Sequence, residues 1–147
     1  SLLALSLQST DIKPIGQHAL SITDGQLMMF NNGQVSFNQP EGVPVGQLLP
    51  TSLAMKWTID EENMEANNTW TYDAGFVSYI CSSVYEKEGF YLLTYAAVDR
   101  VKPEAGRVVI QGIDPEKNII FEFEQPLASK PCSTWNSNFI ELNSLVY

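Results

Sequence analysis

Histidine is almost missing from this chain: His18 is the only one. Cysteine is sparse as well, and Cys81 and Cys132 stand far apart with no second pair. That leaves no CxxC spacing for zinc and little material for any metal centre, so no metal and no cofactor is expected. Cations are scarce, with 8 Lys+Arg against 17 Asp+Glu and a net charge of −9. Neutralising phosphates takes clustered Lys and Arg, so a nucleic-acid partner is excluded. Docking by charge on anionic lipid is disfavoured for the same reason. No GxSxG elbow marks a serine nucleophile. There is no internal repeat and no low-complexity tract.

What is present suits one folded domain over residues 1–147. The length fits a single core, and 44% hydrophobic with 17% charged residues is a globular composition. The chain opens Ser1-Leu2-Leu3-Ala4-Leu5-Ser6-Leu7 and turns polar at Gln8. Such a run is far short of the roughly 20 residues that span a bilayer. Its Leu/Ala content and lack of β-branched residues favour the remnant of an N-terminal membrane helix over a strand left after signal cleavage. Cys81 and Cys132 read as one disulfide in an oxidising compartment. Closing so long a loop stabilises by about 4 kcal/mol in the chain-entropy model.

Residues 17–39 support two readings. Asp24-Gly25 and Asn31-Asn32-Gly33 are hairpin signals, which makes a β-meander. Leu20, Leu27, Phe30 and Phe37 also fit spacings of seven, three and seven, one face of a helix. The Pro- and Gly-rich stretch 38–50 then stops whatever precedes it. Beyond it the chain reads as β. Strands are expected at 53–59, 70–73, 76–81 and 90–98, the last placed centrally, with a final one at 139–147. Residues 107–113 and 118–124 form the clearest hairpin, turning at Asp114-Pro115-Glu116-Lys117. In its second arm Ile119, Phe121 and Phe123 face one way, and Ile120, Glu122 and Glu124 the other.

Little in these residues suggests chemistry. His18 is the only unperturbed base near neutral pH, but no partners for it are visible in the sequence, and no catalytic residue is assigned. Asp60, Glu61, Glu62 and Glu65 cluster without the spacing or glycine of a calcium loop, so they read as a solvated loop offered to a basic partner. Trp70 and Trp135 sit beside loops, where an aromatic side chain can face a ligand. Asn67-Asn68-Thr69 matches a glycosylation sequon.

One stretch carries a family pattern. Leu27-Met28-Met29-Phe30-Asn31-Asn32-Gly33-Gln34-Val35-Ser36-Phe37, then Gly42-Val43-Pro44 and Leu49-Pro50, resembles the first half of PilM-type, minor-pilin-like accessory proteins of type IVb and conjugative thin pili. Phe30, Val35 and Phe37 stand at the pattern's apolar positions. The resemblance implies an α+β, pilin-like fold, with a helix over 17–38 packed on an antiparallel sheet through Leu20, Leu27, Phe30 and Phe37. It implies a non-enzymatic subunit of a pilus or secretion machine, anchored in the inner membrane with its domain in the periplasm and bound to other subunits. The alternative is a secreted or extracellular all-β sandwich that binds a carbohydrate or receptor.

Overall fold

The computed structural model describes residues 5–8, 11–35, 41–42, 46–99, 106–127, 134 and 136–140. Among them there is no helix; nine strands form two sheets. The strands are β1 (Ser6–Leu7), β2 (Gln17–Thr23), β3 (Gln26–Asn31), β4 (Leu53–Asp60), β5 (Glu65–Asp73), β6 (Ser83–Lys87), β7 (Phe90–Val98), β8 (Arg107–Ile113) and β9 (Ile119–Pro126). The first sheet runs β1-β5-β4-β3-β2 and the second β6-β7-β8-β9. All neighbours are antiparallel except β1, which adds to β5 in parallel. Each sheet is therefore built around a four-strand meander, with sequence neighbours as spatial neighbours, as short connections favour.

Local chemistry explains the turns. Asp24 and Gly25, both at positive φ, make the two-residue β2–β3 turn. Asp60 opens the β4–β5 turn by accepting hydrogen bonds from the Asn63 backbone and side chain, at 3.0 and 2.8 Å. Asp114 does the same with Asn118 in the β8–β9 turn, at 2.8 and 2.9 Å. These Asx contacts hold both exposed carboxyls below their ordinary pKa.

The main core lies between the sheets. Met28, Phe30, Ala54 and Tyr72 of the first sheet meet Val84, Leu93, Tyr95, Val109 and Ile113 of the second. Phe30 and Phe76 both meet the Tyr95 ring edge-on, at 5.3 Å between centroids. The first sheet also buries its other face, in Met29, Leu53, Met55, Trp57 and Ala66. Polar contacts tie the β5–β6 connection into the core. Ser52 Oγ donates to the Asn32 carbonyl at 2.9 Å and accepts from the Ser78 amide at 2.8 Å. Asn32 Nδ2 donates to the Ser78 carbonyl at 2.5 Å, and the Ala97 amide donates to Ser78 Oγ at 3.1 Å. All these groups are buried, and their mutual pairing offsets their desolvation.

The α+β, pilin-like expectation is corrected here: the fold is all-β. Residues 17–23 and 26–31 are paired strands and not a helix. Leu27 and Phe30, three apart, would share a helix face. In β3 they point to opposite faces, Leu27 toward the outer cluster and Phe30 into the central core. Leu20 falls in the β2 bulge and is exposed. Phe37 lies outside the described residues, as does most of the expected last strand. Residues 76–81 make one isolated bridge, Ser78 to Val98, and no strand. Asn31-Asn32-Gly33 ends β3 and makes no hairpin: Asn31 Oδ1 accepts from the Ile15 and Gly33 amides, at 3.1 and 3.0 Å.

Candidate functional site

A polar cleft of about 390 Å³ opens where the edges of the two sheets meet. Its walls include Ser21 and Asp24 from the β2–β3 hairpin, Lys56 from β4, and Tyr85, Glu86 and Glu88 from the β6–β7 hairpin. Strand register sets which side chains face it. Paired residues in an antiparallel ladder point to the same side. Ser21 pairs with Met28, Met28 with Lys56, and Lys56 with Trp70, so all four face the second sheet.

His18 reaches the same face by a bulge. It pairs with Phe30, which is in the central core. Between His18 and Ser21 the register shifts, and Ala19 takes a positive φ of 51°. The shift absorbs one residue, so His18 and Ser21 share a side despite their odd spacing. His18 is half-buried, and desolvation lowers its pKa from the ordinary value. Its imidazole is neutral at pH 7, able to accept a proton or attack an electrophile.

Lys56 Nζ crosses between the sheets to Glu86 Oε2 at 2.7 Å. Against that one cation the cleft sets Asp24, Glu86 and Glu88. Beside Lys56 runs an aromatic ladder. The Trp70 ring stacks on Tyr91 at 4.2 Å and lies nearly parallel to Tyr72 at 6.2 Å. Lys117 Nζ sits 5.9 Å from the Trp70 ring centre and donates to the Thr71 carbonyl at 2.9 Å.

The residues singled out in the sequence are dispersed. Glu61, Glu62 and Glu65 lie exposed in and after the β4–β5 turn, with Asp60 engaged by Asn63. Trp70 is packed between tyrosines at the core margin. Trp135 and Cys132 lie outside the described residues, and Cys81 is buried. Among the described residues no group of three or more His, Cys, Asp and Glu is placed to hold a metal ion. Sequence reasoning passed over Lys56 and Glu86, because only the packing of the two sheets brings them together.

The site is thus a polar cleft at the margin of a two-sheet, all-β domain, with the Lys56 ammonium in its wall and the His18 imidazole on the same face of the first sheet, outside the cleft's lining. The model of the arylsulfotransferase (ASST) family matches residues 3–135, so the chain belongs to that family. No curated protein matches the chain. Membership overturns the pilus reading in full: this is a domain of a sulfotransferase family, not a pilin-like assembly subunit, and the expectation of a non-enzyme is corrected with it. The pilin-like pattern rested on Phe30 and its neighbours, whose spacing reflects a strand apolar on both faces.

Proposed function

We propose that this chain works in sulfuryl transfer from an aryl sulfate to a phenolic acceptor, with His18 as the proton acceptor. The observation that carries the reading is the family match over residues 3–135. In the step, the donor's aryl oxygen–sulfur bond breaks and the acceptor oxygen bonds to sulfur. The acceptor's proton passes to His18 Nε2 or Nδ1, and the departing phenolate takes a proton from water. Nothing is oxidised or reduced.

Three features support this assignment. His18 is the chain's only imidazole and its burial keeps it neutral. Lys56 supplies the ammonium on the same face, toward which a sulfate's charge is drawn once Glu86 yields it. The Trp70–Tyr91 stack beside it offers an apolar flank for an aryl ring.

The test is release of 4-nitrophenol from 4-nitrophenyl sulfate, with and without added phenol. Release is expected to rise with phenol. His18→Gln is expected to lower it by about 10²-fold or more, the usual worth of a general base. Phenol-dependent release left intact in His18→Gln overturns the role of His18.

A further inference from the structure

We propose that Glu86 sets how tightly the cleft holds an anionic aryl ligand: its carboxylate occupies the Lys56 ammonium, and the ligand's oxyanion competes with it there. The choice of an aryl oxyanion rests on the sulfuryl-transfer reading, and the competition rests on the geometry.

Four residues make a closed frame at this margin of the core. Lys56 pairs with Trp70 across β4 and β5, and Glu86 pairs with Tyr91 across β6 and β7. Paired residues in an antiparallel ladder point to the same side. The two rungs are joined twice between the sheets, by the Lys56–Glu86 contact at 2.7 Å and by the Trp70–Tyr91 stack at 4.2 Å. Lys56 and Glu86 also line the cleft. The frame therefore holds one charge pair beside one ring stack, with the cleft opening on the charge pair.

The Lys56 and Glu86 side chains are only 15% and 28% exposed. Partly withdrawn from water, each depends on the other more than a fully exposed pair does. Glu86 is the only carboxylate paired with Lys56 among the described residues. An ammonium carries three donors on a flexible stem, so Lys56 can turn toward a sulfate or sulfonate oxygen. While Glu86 is charged, that oxygen meets an ammonium already neutralised and a carboxylate close beside it. Glutamine at this position still offers an oxygen to Lys56 but no charge, which leaves the ammonium's charge to the ligand. The other carboxylates of the cleft, Asp24 and Glu88, are exposed in the β2–β3 and β6–β7 turns. Salt screens exposed charges of that kind and screens a partly buried pair much less.

The test is calorimetric titration of the full chain with two probes. Benzenesulfonate carries the oxyanion on a carbon–sulfur bond, so its binding is read without turnover. Benzenesulfonamide has nearly the same shape and is neutral at neutral pH. Glu86→Gln is expected to tighten benzenesulfonate about tenfold, as one hydrogen bond to a charged group contributes, and to leave benzenesulfonamide unchanged. The double variant Lys56→Met, Glu86→Gln removes both charges without stranding either, and is expected to lose that gain. Glu88→Gln is expected to have a smaller effect, and one that added salt removes. Benzenesulfonate affinity unchanged or weakened in Glu86→Gln overturns the proposal, as does failure of benzenesulfonate to bind either form. Equal tightening of both probes makes Glu86 a structural tie and overturns it too. A gain that survives in the double variant overturns the role of Lys56. The expected pattern in a chain that does not turn over 4-nitrophenyl sulfate upholds the competition and removes the sulfuryl-transfer reading.

Discussion

Tyr95 sits at the centre of the core with its ring between Phe30 and Phe76, and its hydroxyl finds no hydrogen-bond partner among the described residues. Burial pushes its pKa well above the usual tyrosine range, and the nearby Tyr72, Asp73 and Glu122 push the same way. An unpaired buried hydroxyl costs stability that a hydrocarbon of equal shape does not. Tyr95→Phe is therefore expected to raise stability by about 1 kcal/mol, read from urea denaturation. A loss of similar size would show that the hydroxyl is satisfied. Leu93, fully buried nearby, gives the contrast: Leu93→Ala is expected to cost about 2–5 kcal/mol.

His18 gives a second residue-scale expectation, with a definite sign. Its folded pKa lies below the unfolded value, so the unfolded chain binds the proton more readily. Stability then falls as pH drops below the unfolded pKa of about 6.5, until the folded form also protonates. Thermal melts across this range are expected to show that slope, and His18→Gln to flatten it. An equal slope in both would place the titration elsewhere.

Elements were legible where aromatic and β-branched residues concentrate or a turn is chemically explicit. The 107–113 and 118–124 hairpin and the aromatic 90–98 strand stood out in the sequence and form, and the Asp24-Gly25 turn forms as the meander reading has it, against the helix of the pilin-like resemblance. β3 did not stand out, for a physical reason. Both faces of its sheet are buried, so Leu27, Met28, Met29 and Phe30 are apolar in succession and the period-two signal is lost. With alternation gone, spacings of three and seven mimicked a helix. The β2 bulge compounded this by shifting Leu20 out of register. The β5–β6 connection was illegible as well, since what holds it is a set of buried serines with no sequence period. Ser52→Ala strands the Asn32 carbonyl and the Ser78 amide, at about 1–3 kcal/mol for each group left unsatisfied. Denaturant melts of the variant against wild type measure that loss, and an unchanged midpoint would mean the serine network contributes nothing.

At the scale of the whole molecule, two meanders share one core and leave a polar cleft at one margin and an apolar edge at another. No spacing in the sequence pointed to the cleft. Lys56 and Glu86 lie thirty residues apart in sequence and meet at 2.7 Å only because β4 and β6 belong to facing sheets. His18 looked isolated because its partner across the ladder, Phe30 of β3, is not its neighbour in the chain.

The most direct test of the central claim is mass spectrometry of a phenolic acceptor incubated with the chain and an aryl sulfate donor. An acceptor gaining one sulfuryl group, in equal number to the donor phenol released, is the result expected of an arylsulfotransferase domain. Donor phenol released alongside free sulfate, with the acceptor unchanged, would mean hydrolysis and contradict transfer. No release at all would contradict the activity assigned to this chain.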